Sequence, residues 1–188
     1  MKTKNTISFI LLLFSTTILC TNQKIEREFM EIKPLQLDQV KEVKRIIVNC
    51  AFELWQPKYT IQELERMLDT DKDLINVQAS YFDNNGTFLV LLDGHKVVGA
   101  GAIKNFDDET CELKRMWFLK EYRGKGFGLR IATQLLEFAK SHGYKKVRLD
   151  IYHPEMQAQA IALYRKLGFY EIKNYNNSTA QLFMEKVL

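Results

Sequence analysis

Cysteine and histidine are scarce, and their scarcity removes two kinds of chemistry. The three cysteines, Cys20, Cys50 and Cys111, have no metal-ligand spacing and are too few for a disulfide framework. Cys50 and Cys111 sit among apolar residues, so both read as buried free thiols. His95, His142 and His153 are scattered, and no metal site can be assembled from them. Charge of one sign is lacking as well. A formal net charge of +4, spread along the chain, argues against a nucleic-acid surface while leaving room for a local basic pocket. No G-x-x-x-x-G-K-[ST] run exists, which excludes that NTPase loop. Repeats and low-complexity segments are missing, and nothing marks a second domain. A chain of 188 residues, 46% hydrophobic and 27% charged, suits a single globular domain. Its roughly 160 residues beyond the N-terminal segment can bury a core without staples.

What is present centres on 112–140, which reads as a strand, a glycine-rich turn and a helix. Met116, Trp117, Phe118 and Leu119 have the composition of a buried strand. Gly124, Gly126 and Gly128 follow, and then Leu129, Ile131, Ala132, Leu135, Leu136 and Ala139 recur at helical spacing. A helix entered through glycines leaves its first amides unpaired, and with the positive end of the dipole they form an anion site. Lys125 and Arg130 add charge beside it. The dinucleotide fingerprint G-x-G-x-x-G fails, because Leu129 stands where its third glycine belongs.

The run does match Arg-x-x-Gly-x-Gly at Arg123, Gly126 and Gly128, and Ala160-x-x-Leu163-Tyr164-x-x-x-Gly168-Phe169 lies downstream with a strand between. In these two signatures the chain, from about Glu31 to Leu188, resembles the GCN5-related N-acetyltransferases. The resemblance implies an α/β fold with a mixed, largely antiparallel central sheet flanked by helices. It also implies transfer of an acetyl group from acetyl-CoA to a primary amine of a small molecule, peptide or protein. The cofactor would lie along Met116, Trp117 and Phe118, whose backbone pairs with the pantetheine arm. Its pyrophosphate would sit on the turn formed by Arg123, Gly124, Lys125, Gly126, Phe127, Gly128 and Leu129. Gln157 stands where the family commonly has asparagine. For proton removal the resemblance offers Glu112, taken first, and Asp150 on the following strand; for the leaving thiolate it offers Tyr164 as donor. An ion pair with Lys114 or Arg115 would be the ordinary use of Glu112, a solvated strand end that of Asp150, and a core tyrosine that of Tyr164. A non-catalytic acetyl-CoA-binding sensor is the alternative function, and it would have no need of Glu112 or Tyr164. A nucleotide-binding oxidoreductase with Asp150 on a ribose is set aside on the glycine spacing.

At the N-terminus, Lys2 and Lys4 precede the uncharged run Ile7–Cys20, which has the anatomy of a secretory signal. The run is shorter than the ~20 residues a spanning helix needs. Residues 1–22 are therefore expected to direct the chain to a secretory pathway or to associate with a membrane; a start at Met30 would instead give a cytoplasmic protein. Further along, Glu31–Leu35 reads as a strand, and Asp38 as the cap of a helix bearing Val43, Ile47, Cys50 and Leu54. Thr60-Ile61-Gln62-Glu63 is a capping box for a helix to about Leu68. Trp55 and Tyr59, just before it, would either line the acceptor pocket or simply pack. Tyr81–Asn85 reads as a turn-rich lead-in, and Thr87–Leu92 and Lys96–Ile103 as a hairpin about Asp93-Gly94. Val147–Tyr152 reads as a strand, Pro154 opens a helix ended by Gly168, and Phe169–Tyr175 and Ala180–Val187 close the sheet. Asn85-Gly86-Thr87 and Asn176-Asn177-Ser178 match glycosylation acceptors but are read as turns.

Overall fold

In the computed structural model, which describes residues 30–188, the chain opens with β1 (Met30–Pro34) and passes through a 3-10 turn (Leu37–Gln39) into α1 (Val40–Trp55). The Ile7–Cys20 run, and its reading as a signal or anchor, lie outside the described residues. Among the described residues no helix is long and apolar enough to cross a membrane. Asp38 does not cap α1 as expected. Gln36 and Gln39 close the turn reciprocally, with the Gln36 N–H donating to Gln39 Oε1 at 3.0 Å. α1 buries Val43, Ile46, Ile47, Cys50 and Ala51 along one face. The Thr60 box forms as predicted: Glu63 N–H donates to Thr60 Oγ1 at 3.3 Å and Thr60 N–H to Glu63 Oε2 at 2.8 Å. It starts α2 (Ile61–Asp69). A short α3 (Lys72–Ile75) and a π-helical turn (Gln78–Phe82) follow, so Tyr81 is not in a lead-in turn but fully buried.

The hairpin of β2 (Thr87–Asp93) and β3 (Lys96–Asn105) turns at Gly94, whose φ of +60° suits glycine. Then come β4 (Thr110–Phe118), α4 (Phe127–Ser141), β5 (Lys146–Ile151), α5 (Ala158–Lys166), β6 (Tyr170–Ile172) and β7 (Leu182–Val187). The seven strands form one sheet in the order β1-β2-β3-β4-β5-β7-β6, antiparallel except between β4 and β5. The mixed, largely antiparallel sheet flanked by helices is the expected one. One face packs Val98, Ile103 and Leu113 against Ile131 and Leu135 of α4; the other packs Val90, Val97 and Ala100 against Val43 and Ile46 of α1.

Two boundaries differ from the sequence reading, each for a local reason. α5 begins at Ala158 rather than at Pro154, because the Met156 and Gln157 N–H groups fold back onto the His153 and Pro154 carbonyls. β6 ends at Ile172 rather than Tyr175. Asn174 Oδ1 accepts the N–H groups of Asn176 and Asn177, at 3.1 and 3.0 Å, and bends the chain away from the strand.

Two irregularities of β4 create the site. It pairs with β5 only from Thr110 to Glu112, opposite Lys146 to Arg148, and then the strands part. The edge of β4 beyond Glu112 is thereby left without a strand neighbour on that side. Against β3 the register shifts between Ala100 and Ala102, with Ala100 opposite Trp117 and Ala102 opposite Lys114. One extra residue therefore sits in β4, and Arg115 takes φ +58° to accommodate it.

Candidate active site

The glycine turn has the geometry of an anion cradle. Gly126 is the N-cap of α4 in the left-handed region, φ +88°, and Gly124 lies at φ +73°. The first helical bond runs from Arg130 N–H to the Gly126 carbonyl at 3.1 Å. The N–H groups of Phe127, Gly128 and Leu129 precede it and have no intrahelical acceptor. A Cβ placed at Gly124 or Gly126 would meet nothing within 4 Å, so the space before the helix is open. Gly128 plays another part: a Cβ there would lie 3.4 Å from Leu163 and 3.7 Å from Phe118, so the helix start sits close to α5 and β4. Arg123 is directed backward. Its Nε donates to the Phe118 carbonyl at 2.7 Å and its guanidinium pairs with Glu53 of α1 at 2.8 Å. Its charge ties the turn to its supports. Lys125 lies over the Tyr122 ring and Arg130 over the Phe127 ring, at the rim of the cradle.

From the open edge of β4 a cavity of 590 Å³ extends toward α1 and α2. Met116 turns its side chain to the α4 face, beside Gly101, whereas Trp117 turns to the opposite face and meets Trp55 edge-on at 6.3 Å. Trp55 also meets Tyr59 at 6.0 Å, and all three aromatic rings line the cavity. Gln157, at the N-cap of α5, lines it too, as does Tyr164. The Tyr164 hydroxyl takes no hydrogen-bond partner among the described residues, while its ring packs against Phe169 at 5.8 Å. Burial pushes this phenol above its ordinary value and keeps it protonated.

The two candidate carboxylates share a neighbourhood but not an exposure. Asp150 lines the cavity, where Oδ2 accepts from Asn176 Nδ2 at 2.9 Å and from Ser178 Oγ at 3.1 Å. Glu112 is 7% exposed and does not line it. Its Oε1 accepts from the Tyr175 hydroxyl at 2.8 Å and from Asn176 Nδ2 at 3.3 Å, and Lys114 lies 3.8 Å from Oε2. One amide nitrogen thus bridges both carboxylates. The Tyr175 phenol is pushed up by burial first and by the Glu112 charge next, so it remains a donor. No motif gives Tyr175, Asn176 or Ser178 a part in the site; the Asn176-Asn177-Ser178 tripeptide reads only as a turn. They act from the 173–181 loop between β6 and β7.

Beneath the acceptor side lies a charge network that the sequence did not reveal. The Arg115 guanidinium pairs with Asp71 and Asp73, and the Tyr81 hydroxyl donates to Asp73 Oδ2 at 2.6 Å. Burial alone would raise the Asp73 carboxyl, but the Arg115 charge and the Tyr81 hydrogen bond outweigh it and hold it low. The thiols are inert by comparison. Cys50 and Cys111 are buried and free and do not line the cavity, and burial pushes Cys111 up to about 12. Among the described residues no three His, Cys, Asp or Glu side chains gather as metal ligands.

Residues 47–169 match the family model described as acetyltransferase (GNAT) family. The chain is 32% identical over 105 residues to the uncharacterized N-acetyltransferase YjgM of Escherichia coli, covering 54% of this chain and 62% of that protein. It is 31% identical over 137 residues to an N-acetylaspartate synthetase of Xenopus tropicalis, covering 67% of this chain and 49% of that protein. The chain therefore spans less than two thirds of the length of either relative. In fold it is similar to the PaiA N-acetyltransferase of Thermoplasma acidophilum, solved in complex with coenzyme A, at a TM-score of 0.69 and 17% identity; 85% of this chain and 99% of that one are covered.

Proposed function

The chain belongs to the acetyltransferase (GNAT) family, and from that premise we propose that it is an N-acetyltransferase that moves the acetyl group of acetyl-CoA to a primary amine by direct attack. The observation that carries this reading is the combination of three features: the amide cradle at Gly126, the unpaired edge of β4 and the cavity that this edge lines together with Asp150 and Tyr164. The first two suit a pyrophosphate and an amide-bearing arm, which supports acetyl-CoA as cosubstrate. The structure of PaiA with coenzyme A supports it from the fold. The relative named as an N-acetylaspartate synthetase favours a small-molecule amine as acceptor.

Acetyl-CoA supplies an acetyl thioester, and the residues of the chain handle the protons. An alkyl ammonium, with a pKa of roughly 10, must lose one before its nitrogen can attack. Asp150 is the proton acceptor in this reading, directly or through a water, because it lines the cavity while Glu112 is closed off by Tyr175 and Asn176. The new N–C bond forms as the C–S bond breaks. Tyr164, kept neutral by burial and with its hydroxyl unclaimed, gives its proton to the departing sulfur. Free N–H groups on the β4 edge would polarise the thioester carbonyl. Among the described residues a covalent route through cysteine is disfavoured, because Cys50 and Cys111 are both buried.

The experiment is a panel of amines incubated with acetyl-CoA and the protein while free thiol is followed. Amine-dependent thiol release with one acetylated amine per thiol is the expected result. Coenzyme A binding without release across the panel would return the chain to the sensor reading.

A further inference from the structure

We propose that the acceptor is a small amine that also carries a carboxylate, and that Lys104 is the residue that reads that carboxylate; this rests on the acetyltransferase reading and refines it. Most charged groups in the cavity wall already hold a partner. The cavity is lined by four cations, Lys72, Lys104, Lys114 and Arg115, and by three carboxylates, Asp71, Asp73 and Asp150. Arg115 is taken by Asp71 and Asp73 together. Asp150 is held by Asn176 and Ser178. Lys114 leans on Glu112 just behind the cavity. Lys72 is flanked in sequence by the two aspartates that hold Arg115. Lys104 stands in the wall on β3, a different element from the Asp71–Asp73 pair, and its ammonium takes no hydrogen-bond or ion-pair partner among the described residues.

Its position fits the role. Lys104 lies directly opposite Glu112 across the β3–β4 pair, and Glu112 lies opposite Arg148 on β5, two residues before Asp150. Lys104 and Asp150 therefore flank the same end of the cavity from either side of β4. An amine directed at Asp150 would bring a carboxylate on the same small molecule toward Lys104, with Lys114 adding a second positive charge. Trp55, Tyr59 and Trp117 leave the remaining wall apolar and aromatic. A second positive charge on the acceptor would find no free carboxylate here, because Asp71 and Asp73 already hold Arg115 and Asp150, held only by neutral Asn176 and Ser178, is taken by the reacting ammonium. A free amino acid matches this layout, whereas a peptide N-terminus, whose carboxylate is remote, does not.

The test compares kcat/KM for phenylalanine, phenylalaninamide and a phenylalanine-led dipeptide by thiol release. Wild type should favour the free acid over the amide by roughly 10- to 100-fold, the worth of a charge-assisted hydrogen bond. In Lys104→Met that ratio should fall toward one, with the loss concentrated in the acid, and Lys104→Arg should restore much of it. Lys96→Met, at the far end of the same strand, should leave the ratio as in wild type. A wild-type enzyme that turns over the amide or the dipeptide as well as the acid overturns the proposal. So does a Lys104→Met ratio equal to wild type. Absence of thiol release with every amine would instead sink the acetyltransferase reading on which it rests.

Discussion

Replacing Asp73 by alanine removes the central acceptor of the buried network, and its consequences can be worked from the contacts. Arg115, 14% exposed, would keep only Asp71, which is 33% exposed and a poorer counter-ion. The Tyr81 hydroxyl, in a side chain with 0% exposure, would lose its acceptor. Breaking a buried pair by removing one partner costs ~3–5 kcal/mol. Losing only the Tyr81 hydroxyl, as in Tyr81→Phe, should cost ~1.5–3 kcal/mol, since its bond is to a charged group. Against a total stability of about 5–15 kcal/mol, the alanine variant is close to the threshold of folding. Urea unfolding followed by tryptophan fluorescence checks this: with a slope of about 1–3 kcal/mol per molar, the midpoint should drop by more than ~1 M. The acid limb gives a second reading. Asp73 is held below its ordinary value in the fold, so its contribution is full above its unfolded pKa of roughly 3.9 and is lost as pH falls through the folded value. Wild-type stability should therefore decline below pH ~4, and the alanine variant should show a shallower decline. An alanine variant within ~1 kcal/mol of wild type, or a Tyr81→Phe cost that exceeds it, would refute the account.

Three further outcomes are expected. Gly126→Asp places a side chain and a negative charge in the open space before α4, in a left-handed position; calorimetry should show coenzyme A affinity abolished with the apo fold largely intact, and unchanged affinity would sink the cradle. Asp150→Asn should slow turnover by ~10²–10⁴-fold, recovering at high pH where free amine is plentiful, whereas Tyr164→Phe should not recover because pH cannot supply its proton. Coenzyme A affinity should stay near wild type in both, and a Glu112→Gln loss larger than that of Asp150→Asn in the same pH–rate profiles would reverse the assignment. Fractionation with N-terminal sequencing should find the chain exported or held with membranes through Lys2, Lys4 and the Ile7–Cys20 run; a cytosolic product beginning near Met30 would end that expectation.

The sequence made the fold legible where one residue type dictates a local geometry. Thr60 with Glu63, Asp93-Gly94 and the glycines around Gly126 each announced a cap, a hairpin or a helix entry, and each forms. Both signatures likewise put Tyr164 and the cradle beside one cavity. The parts that stayed hidden depend on partners far apart in the chain. Glu112 and Asp150 both read as strand carboxylates until Tyr175 and Asn176 fold over Glu112, each from more than sixty residues away. Arg123 reads as a phosphate ligand, yet Glu53 of α1 lies within reach and takes its charge. The end of β6 failed for a different, local reason: Asn174 turns its side chain to the N–H groups of Asn176 and Asn177 and bends the chain out of the strand.

The bulge in β4 is where these hidden terms meet. Side chains alternate along a strand, so without an extra residue Met116 would share the face of Glu112 and Lys114, and Trp117 would face α4. The insertion at Arg115 reverses this. Trp117 then closes the aromatic wall with Trp55, and Met116 packs beside Gly101 under α4. A left-handed arginine costs on the order of 1–3 kcal/mol. The ion pairs to Asp71 and Asp73 offset that cost, and they can form only because the bulge aims the guanidinium toward the acceptor helices. The network that looks remote from catalysis thus holds the register of the strand along which the cosubstrate would lie. A variant that weakens the network without unfolding the chain should misplace Trp117 before it disturbs the glycine turn, because Gly126 and its helix are fixed separately by Arg123, Glu53 and the Phe118 carbonyl.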